Sequence, residues 1–344
     1  MKEFEIIRSR APLRIGLAGG GTDVSPYSEL YGGSILNATI SLYAYATIEL
    51  LDTDEISFHA VDREEFESHP IQNELPINGN LDLLKGVYNH MVKHYNVTPR
   101  AFKLSTYADV PSGSGLGTSS TLVVAIVGAF AEFYNLPFGE YEIAKIAYDI
   151  ERVDLGQAGG KQDQYAATFG GVNFMESKKD NTVLVNPLRV KDKFLNELEF
   201  NLLLYYTDTS RFSSDIIEEQ ADNVKQKKSK SIEAMHQLKK QSKRMKEAIL
   251  RGELDKIGEI LDFGWQQKKQ MAAGISNPAI DGIYEAAIKA GATGGKISGA
   301  GGGGFMIFYC PKNTRYAVRK ALTAIGGIEK KFQFTNEGQK SWTI

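Results

Sequence analysis

Twenty-two of the chain's 34 glycines fall in four short segments, residues 16–33, 113–117, 156–171 and 291–304. Glycine at that density lets backbone come close to a ligand or to another stretch of chain. The segment that constrains the fold most is 109–120, DVPSGSGLGTSS, which runs straight into the apolar stretch TSSTLVVAIVGAFAEFY at 118–134. Alternating glycines allow successive backbone N–H groups to converge on an anion. A helix starting immediately afterwards adds unpaired amides and partial positive charge. The segment 109–120 is therefore a candidate phosphate-binding loop. The hydroxyls of Thr118, Ser119 and Ser120 could bond phosphate or help hold magnesium, and Thr118 or Ser119 could cap the helix.

Other nucleotide-binding patterns do not fit. A P-loop needs GxxxxGK followed by Ser or Thr; this loop has no lysine after its last glycine. GATGGKI at 291–297 has the wrong glycine spacing and ends in Ile297. A Rossmann turn needs GxGxxG near the first strand, whereas Gly113, Gly115 and Gly117 give GxGxG. Asp262-Phe263-Gly264 imitates a protein-kinase signature but lacks the HRD and VAIK segments that should precede it.

Strand-like and helix-like stretches interleave along the 344 residues. Strands are expected at 4–17 as a pair broken at Ala11-Pro12, at 35–51, at 102–107, at 201–206, at 305–310 and at 331–334. Helices are expected at 79–95, 118–134, 141–153, 279–290 and 316–324. The lysine-rich stretch 215–250 reads as long solvent-facing helices, its basic run a solvated face or a rim attracting phosphate-bearing substrates. A domain change falls near 180–200, without a low-complexity linker.

Composition narrows the function by exclusion. Forty Lys and Arg against 42 Asp and Glu leave a formal charge of -2, with no overall pull toward nucleic acid or anionic membranes. The one cysteine, Cys310, rules out an internal disulfide framework and a multi-thiolate zinc site, and its apolar surroundings predict a buried thiol. His90 and His94 share a helix face, but a zinc site would need further ligands. The opening residues lack a continuous signal core, and 122–131 is too short an apolar stretch to span a bilayer. The expected location is the cytoplasm, with no membrane or nucleic-acid partner and a monomeric or homodimeric state.

Two further glycine loops complete a pattern. RIGLAGGGTD at 14–23 joins an arginine, a flexible loop and a carboxylate; KISGAGGGGF at 296–305 precedes a strand. These three motifs in this order resemble those of the galactokinase, homoserine kinase, mevalonate kinase and phosphomevalonate kinase superfamily, the GHMP kinases. The resemblance covers essentially the whole chain. It implies an α+β fold, with an N-terminal domain like ribosomal protein S5 domain 2 over 1–190 and a ferredoxin-like C-terminal domain over 191–344, and ATP and Mg2+ between them. By the same resemblance Pro111, Ser112, Gly113, Ser114, Gly115, Leu116, Gly117, Thr118, Ser119 and Ser120 would wrap the ATP triphosphate, and Ser120 and Glu151 would hold magnesium. Asp163, in the GGKQDQY stretch at 159–165, would be the base that accepts the acceptor's hydroxyl proton. Arg14 would hold Asp163 and offset charge on the moving phosphoryl group. Gly20, Gly21, Thr22 and Asp23 of the first loop, with Gly301 and Gly302 of the third, would meet the acceptor.

Where galactokinases carry GEHTD, this chain reads GGGTD at 19–23. The absent Glu and His leave more room and argue against galactose. The opening APLRIGLAGGGTD at 11–23 is most similar to the branch that phosphorylates C1 of D-glycero-D-manno-heptose 7-phosphate, which makes this a sugar-1-kinase by expectation. A phosphorylated acceptor needs cationic or donor contacts, for which Arg211, Ser213, Lys268 and Lys269 are candidates, Arg211 the foremost. A kinase for L-fucose or a hexosamine is the alternative. A non-catalytic sugar sensor on the same fold is a further reading, disfavoured by the joint presence of Ser120, Glu151 and Asp163.

Overall fold

A computed structural model describes residues 6–207 and 213–344. The first sheet is built on two long strands, β1 (Ile6–Ala18) and β2 (Gly33–Leu50), joined by the first glycine loop. They are followed by β3 (Glu55–Ala60), β4 (Glu65–Pro70), β5 (Phe102–Ala108), β6 (Val172–Ser177) and β7 (Val183–Pro187). β2 pairs with β1 along one edge; its other edge is shared, β6 taking its first part and β5 its last. β3 lies parallel to β5, and the connection between them carries the helix Asp82–Tyr95. The second sheet has β8 (Leu202–Tyr206), β9 (Gly294–Ile297), β10 (Phe305–Tyr309) and β11 (Ile328–Glu329), in the order β11-β8-β10-β9 and all antiparallel.

The segment 4–17 is one strand rather than a pair. Its register against β2 shifts between Pro12 and Arg14, so the ladder is interrupted there but the strand is not. A proline has no N–H to donate and tolerates such a place. Strand 331–334 is likewise corrected: that stretch makes only an isolated bridge, Ile40 to Phe334. The chain instead ends in β12 (Lys340–Thr343), which pairs antiparallel with β1. A cut near residue 190 thus falls between the two sheets, while the last strand crosses back to the first.

The stretch after the phosphate loop is the helix Thr118–Phe133, buried at almost every position beneath β1 and β2. Neither Thr118 nor Ser119 caps it. The capping position is Gly117 in the left-handed region, which brings Thr118 into the helix itself. The lysine-rich region forms the helices Ser213–Lys225 and Ser229–Arg251. The second is not merely solvent-facing. Ala234, Met235, Leu238, Gln241, Ser242, Met245, Ala248 and Ile249 form a buried stripe at three- and four-residue spacing.

In β8 and β10 every other side chain turns to the opposite face, and both faces are covered. Leu202, Leu204, Phe305 and Ile307 meet Leu13, Ile15, Leu36 and Met245 in a core between the two sheets. Leu203, Tyr205, Met306 and Phe308 meet Trp265, Ile280 and Val318 on the far side, where Cys310 is also buried. Among the described residues no helix is long and apolar enough to cross a membrane. Leu204→Ala should cost about 2–5 kcal/mol, the range for truncating a buried leucine, because Leu204 is fully buried in the core that joins the sheets. The shift in urea midpoint measures it.

Candidate active site

The three glycine loops meet at Arg14. Just past the register shift in β1, its side chain is 3% exposed and points into the junction. Its Nε donates to Asp163 Oδ1 at 2.7 Å, and Nη2 reaches the same oxygen at 2.7 Å. Nη1 donates to the Gly115 carbonyl at 2.7 Å and lies 3.5 Å from Ser298 Oγ. One guanidinium therefore joins β1, the phosphate loop, the helix Gln162–Phe169 that carries Asp163, and the C-terminal glycine loop.

The phosphate loop and the C-terminal loop pack backbone on backbone. Phe305 N donates to the Ser114 carbonyl at 2.8 Å. A Cβ on Gly115 would sit on the Ser298 carbonyl, and one on Gly304 would sit on that of Ser114; both glycines have φ near +80°. No other residue type permits that approach without displacing one loop.

On one side of this junction opens a cleft lined by Ser112, Gly113, Gly115, Gly117, Thr118, Ser119 and Ser120, together with Glu151, Arg152 and Asp163. Of the ten predicted loop residues, three do not face it. Pro111 is an exposed residue before the turn; Ser114 is fully buried, its hydroxyl 3.1 Å from that of Thr118; Leu116 anchors the loop in the core between the sheets. Glu151 lies in a π-helical turn, Ile150–Asp154, that extends the helix Glu140–Asp149 and swings its carboxylate inward. There it accepts from Ser120 Oγ at 3.0 Å and from Gln164 Nε2 at 2.5 Å, with Arg152 Nη1 at 3.8 Å. Burial raises the Glu151 pKa above the ordinary carboxylate value, against the opposing pull of Arg152 and the two hydrogen bonds.

On the other side lies a smaller pocket lined by Arg14, Gly20, Gly21, Asp23, Gly160, Gln162, Asp163, Lys268, Lys296 and Gly299. Asp23 Oδ2 accepts from the backbone N–H of Lys161 at 2.7 Å and of Gln162 at 2.9 Å. Thr22 is turned inward instead, donating to the Gly19 and Ser34 carbonyls and closing the loop. Gly301 and Gly302 do not reach the pocket: both are buried, and Gly302 N donates to the Ile275 carbonyl at 2.9 Å. Gly299 and Ala300 occupy the rim in their place.

Lys268 and Lys296 are both buried against this pocket. Lys268 donates to the Gly299 carbonyl and Lys296 to the Gly16 carbonyl at 2.6 Å; among the described residues neither is ion-paired. Burial, then the Arg14 charge, lowers the Lys268 pKa to about 8, and burial likewise holds Lys296 well below its usual value. Lys269, by contrast, lies over the Trp265 ring and 3.9 Å from Asp281. Arg211 lies outside the described residues, as does the side chain of Ser213. The sequence reading missed Arg152 and Lys296. Lys296 stands within a quoted motif, but nothing in its spacing says that its ammonium is buried.

Residues 82–171 match the model of the GHMP kinases N-terminal domain, and residues 245–327 that of the GHMP kinases C-terminal. The chain is 48% identical over 341 residues to the D-glycero-alpha-D-manno-heptose 7-phosphate kinase of Campylobacter jejuni, covering 99% of this chain and 100% of that one. A solved structure described as a D-glycero-D-manno-heptose 1-phosphate kinase from Bacteroides thetaiotaomicron superposes with a TM-score of 0.84 at 44% identity, covering 98% of this chain and 99% of that one. The L-fucokinase/L-fucose-1-P guanylyltransferase of Bacteroides fragilis is 28% identical over 93% of this chain but only 36% of its own length.

The buried ammonium of Lys268 gives a stability test with a definite sign. Its folded pKa, about 8, lies below the ordinary lysine value of 10.5. Between those two the unfolded chain holds a proton that the folded chain has released, so stability rises with pH across that window. Urea midpoints of the wild type should climb relative to those of Lys268→Met from pH 8 upward, and parallel curves would contradict the burial of a charged group there.

Proposed function

The chain belongs to the GHMP kinases, and on that premise we propose that it transfers the γ-phosphoryl group of ATP to the anomeric C1 hydroxyl of D-glycero-D-manno-heptose 7-phosphate, giving the 1,7-bisphosphate. The observation that carries this reading is the Arg14–Asp163 pair, standing between a glycine loop at a helix start and a pocket with two buried lysines that have no ion-pair partner among the described residues. The cleft with Ser112–Ser120 takes the triphosphate, and the pocket with Asp23 takes the sugar.

Ser120 and Glu151 offer hard oxygen donors, and a buried carboxylate with raised proton affinity gains from a small hard cation, so the pair suits Mg2+. When bound, Mg2+ neutralises charge on the phosphate oxygens. Asp163 accepts the proton of the C1 hydroxyl as the new O–P bond forms and the bond from Pγ to the leaving oxygen of ADP breaks. A carboxylate is a weak base toward an alcohol, so the proton moves late, with bond formation, and Asp163 first orients the hydroxyl. Arg14 fixes the Asp163 carboxylate through two donors to one oxygen, which leaves its other oxygen for the acceptor. The same guanidinium offsets charge on the phosphoryl group in transit.

Asp163→Asn should keep the fold and nucleotide binding while lowering kcat at least about 100-fold, the scale of a lost proton acceptor and its charge. Steady-state turnover close to wild type would remove Asp163 from this role.

Lys268 and Lys296 make the sugar pocket a receptor for an anionic acceptor. The relative from Campylobacter is named for a 7-phosphate and the Bacteroides structure for a 1-phosphate; both are phosphorylated heptoses. Heptose 7-phosphate, heptose 1-phosphate, unphosphorylated heptose and L-fucose, offered singly with MgATP, separate the readings. Transfer to heptose 7-phosphate, with phosphorus NMR locating the new ester at C1, is the expected result; transfer to fucose alone would overturn it. An anion contact at Lys268 requires its protonated form, so KM for the phosphorylated acceptor should rise as pH climbs through about 8. In Lys268→Met that KM should be high throughout and flat with pH, with KM for ATP unmoved.

A further inference from the structure

At the end of the turn that carries Glu151, the fold assembles three metal-ligating side chains that the kinase site does not use. His90 and His94 lie one turn apart on the helix Asp82–Tyr95, with ring centroids 4.4 Å apart. Sequence alone supplies only this pair. The structure adds a third group: Asp154, the last residue of the turn Ile150–Asp154, whose Oδ2 lies 2.6 Å from His90 Nδ1. One ligand atom from each of the three can be chosen so that all lie within 4.8 Å of one another.

We propose that His90, His94 and Asp154 form a binding site for a divalent cation of the zinc class, separate from the magnesium-binding residues of the phosphate cleft. Two imidazoles and one carboxylate are the donor set that Zn2+, Co2+ and Ni2+ accept, whereas Mg2+ prefers oxygen alone. The two histidines sit on one rigid helix at four-residue spacing, so little further ordering is needed for both to hold one ion. His90 is buried, whereas His94 and Asp154 are exposed, which gives the ion a route in and leaves room for water in the remaining position. The ion would take the place of the direct His90–Asp154 hydrogen bond.

The site also has a mechanical consequence. The helix Asp82–Tyr95 and the π-helical turn already touch, with Leu155 packed on Gly86. Coordination would replace the present His90–Asp154 hydrogen bond by a tie that holds both histidines to Asp154. Glu151 stands three residues earlier in the same turn and lines the cleft, which Asp154 does not. The bound cation thus braces the turn that carries Glu151.

The test uses the full chain without a histidine tag, stripped with chelator and held in saturating Mg2+ to fill the oxygen-rich cleft. Zn2+ is titrated calorimetrically, and Co2+ is followed by its visible absorption. Wild type should take one ion that excess Mg2+ does not displace, with a rise in thermal midpoint. His94→Ala and Asp154→Asn, both at exposed positions, should each weaken binding at least about tenfold, since losing a ligand costs no less than losing an outer-sphere partner. They should also lose the midpoint rise. Wild type without saturable Zn2+ binding would overturn the proposal. So would folded variants that bind as tightly as wild type, which would place the ion elsewhere. None of these readouts depends on which sugar the enzyme phosphorylates.

Discussion

A guanidinium that is 3% exposed is costly to bury unless its donors are met, and those of Arg14 are met by three other parts of the chain. Asp163 takes two of them, the Gly115 carbonyl a third, and Ser298 stands close to the same nitrogen. Moving any one of these partners would strand a buried charge. The loop 109–120, the helix that carries Asp163 and the C-terminal glycine loop are therefore held relative to one another by a single side chain on β1. The glycines at 115 and 304 make this possible by letting two backbones touch where a Cβ would hold them apart.

Charge is distributed unevenly around that point. Asp163 is neutralised by Arg14, and Asp23 is satisfied by two backbone N–H groups. Among the described residues Lys268 and Lys296 donate only to carbonyl oxygens. A buried ammonium against a carbonyl dipole is poorly compensated, and the lowered pKa of Lys268 expresses that deficit. An anion placed beside these two side chains would reduce it.

Much of this could be read from residues in order. The loop at 109–120 revealed itself because glycines, hydroxyls and an apolar helix coincide there, and β10 because FMIFY is continuous and short. The roles expected of Glu151 and Asp163 rest on resemblance, since an isolated carboxylate looks like any surface one. What the sequence concealed are properties of contact. The π-helical turn that points Glu151 inward has no periodic signature, and the same turn delivers Asp154 to His90 from 64 positions away. Pro12 suggested a break between strands, whereas the sheet absorbs it as a register shift. The buried face of Ser229–Arg251 was masked by its many lysines, which are long enough to crowd any local average.

The return of β12 to the edge of β1 changes how the two sheets can move. The chain passes from first sheet to second between β7 and β8, and comes back between β11 and β12. Two covalent crossings, not one, join the two sheets, in addition to the core they share. A single crossing would leave only that core to resist twisting of one sheet on the other; the second crossing ties the last strand back to the first sheet and restrains such twisting from both ends of the second.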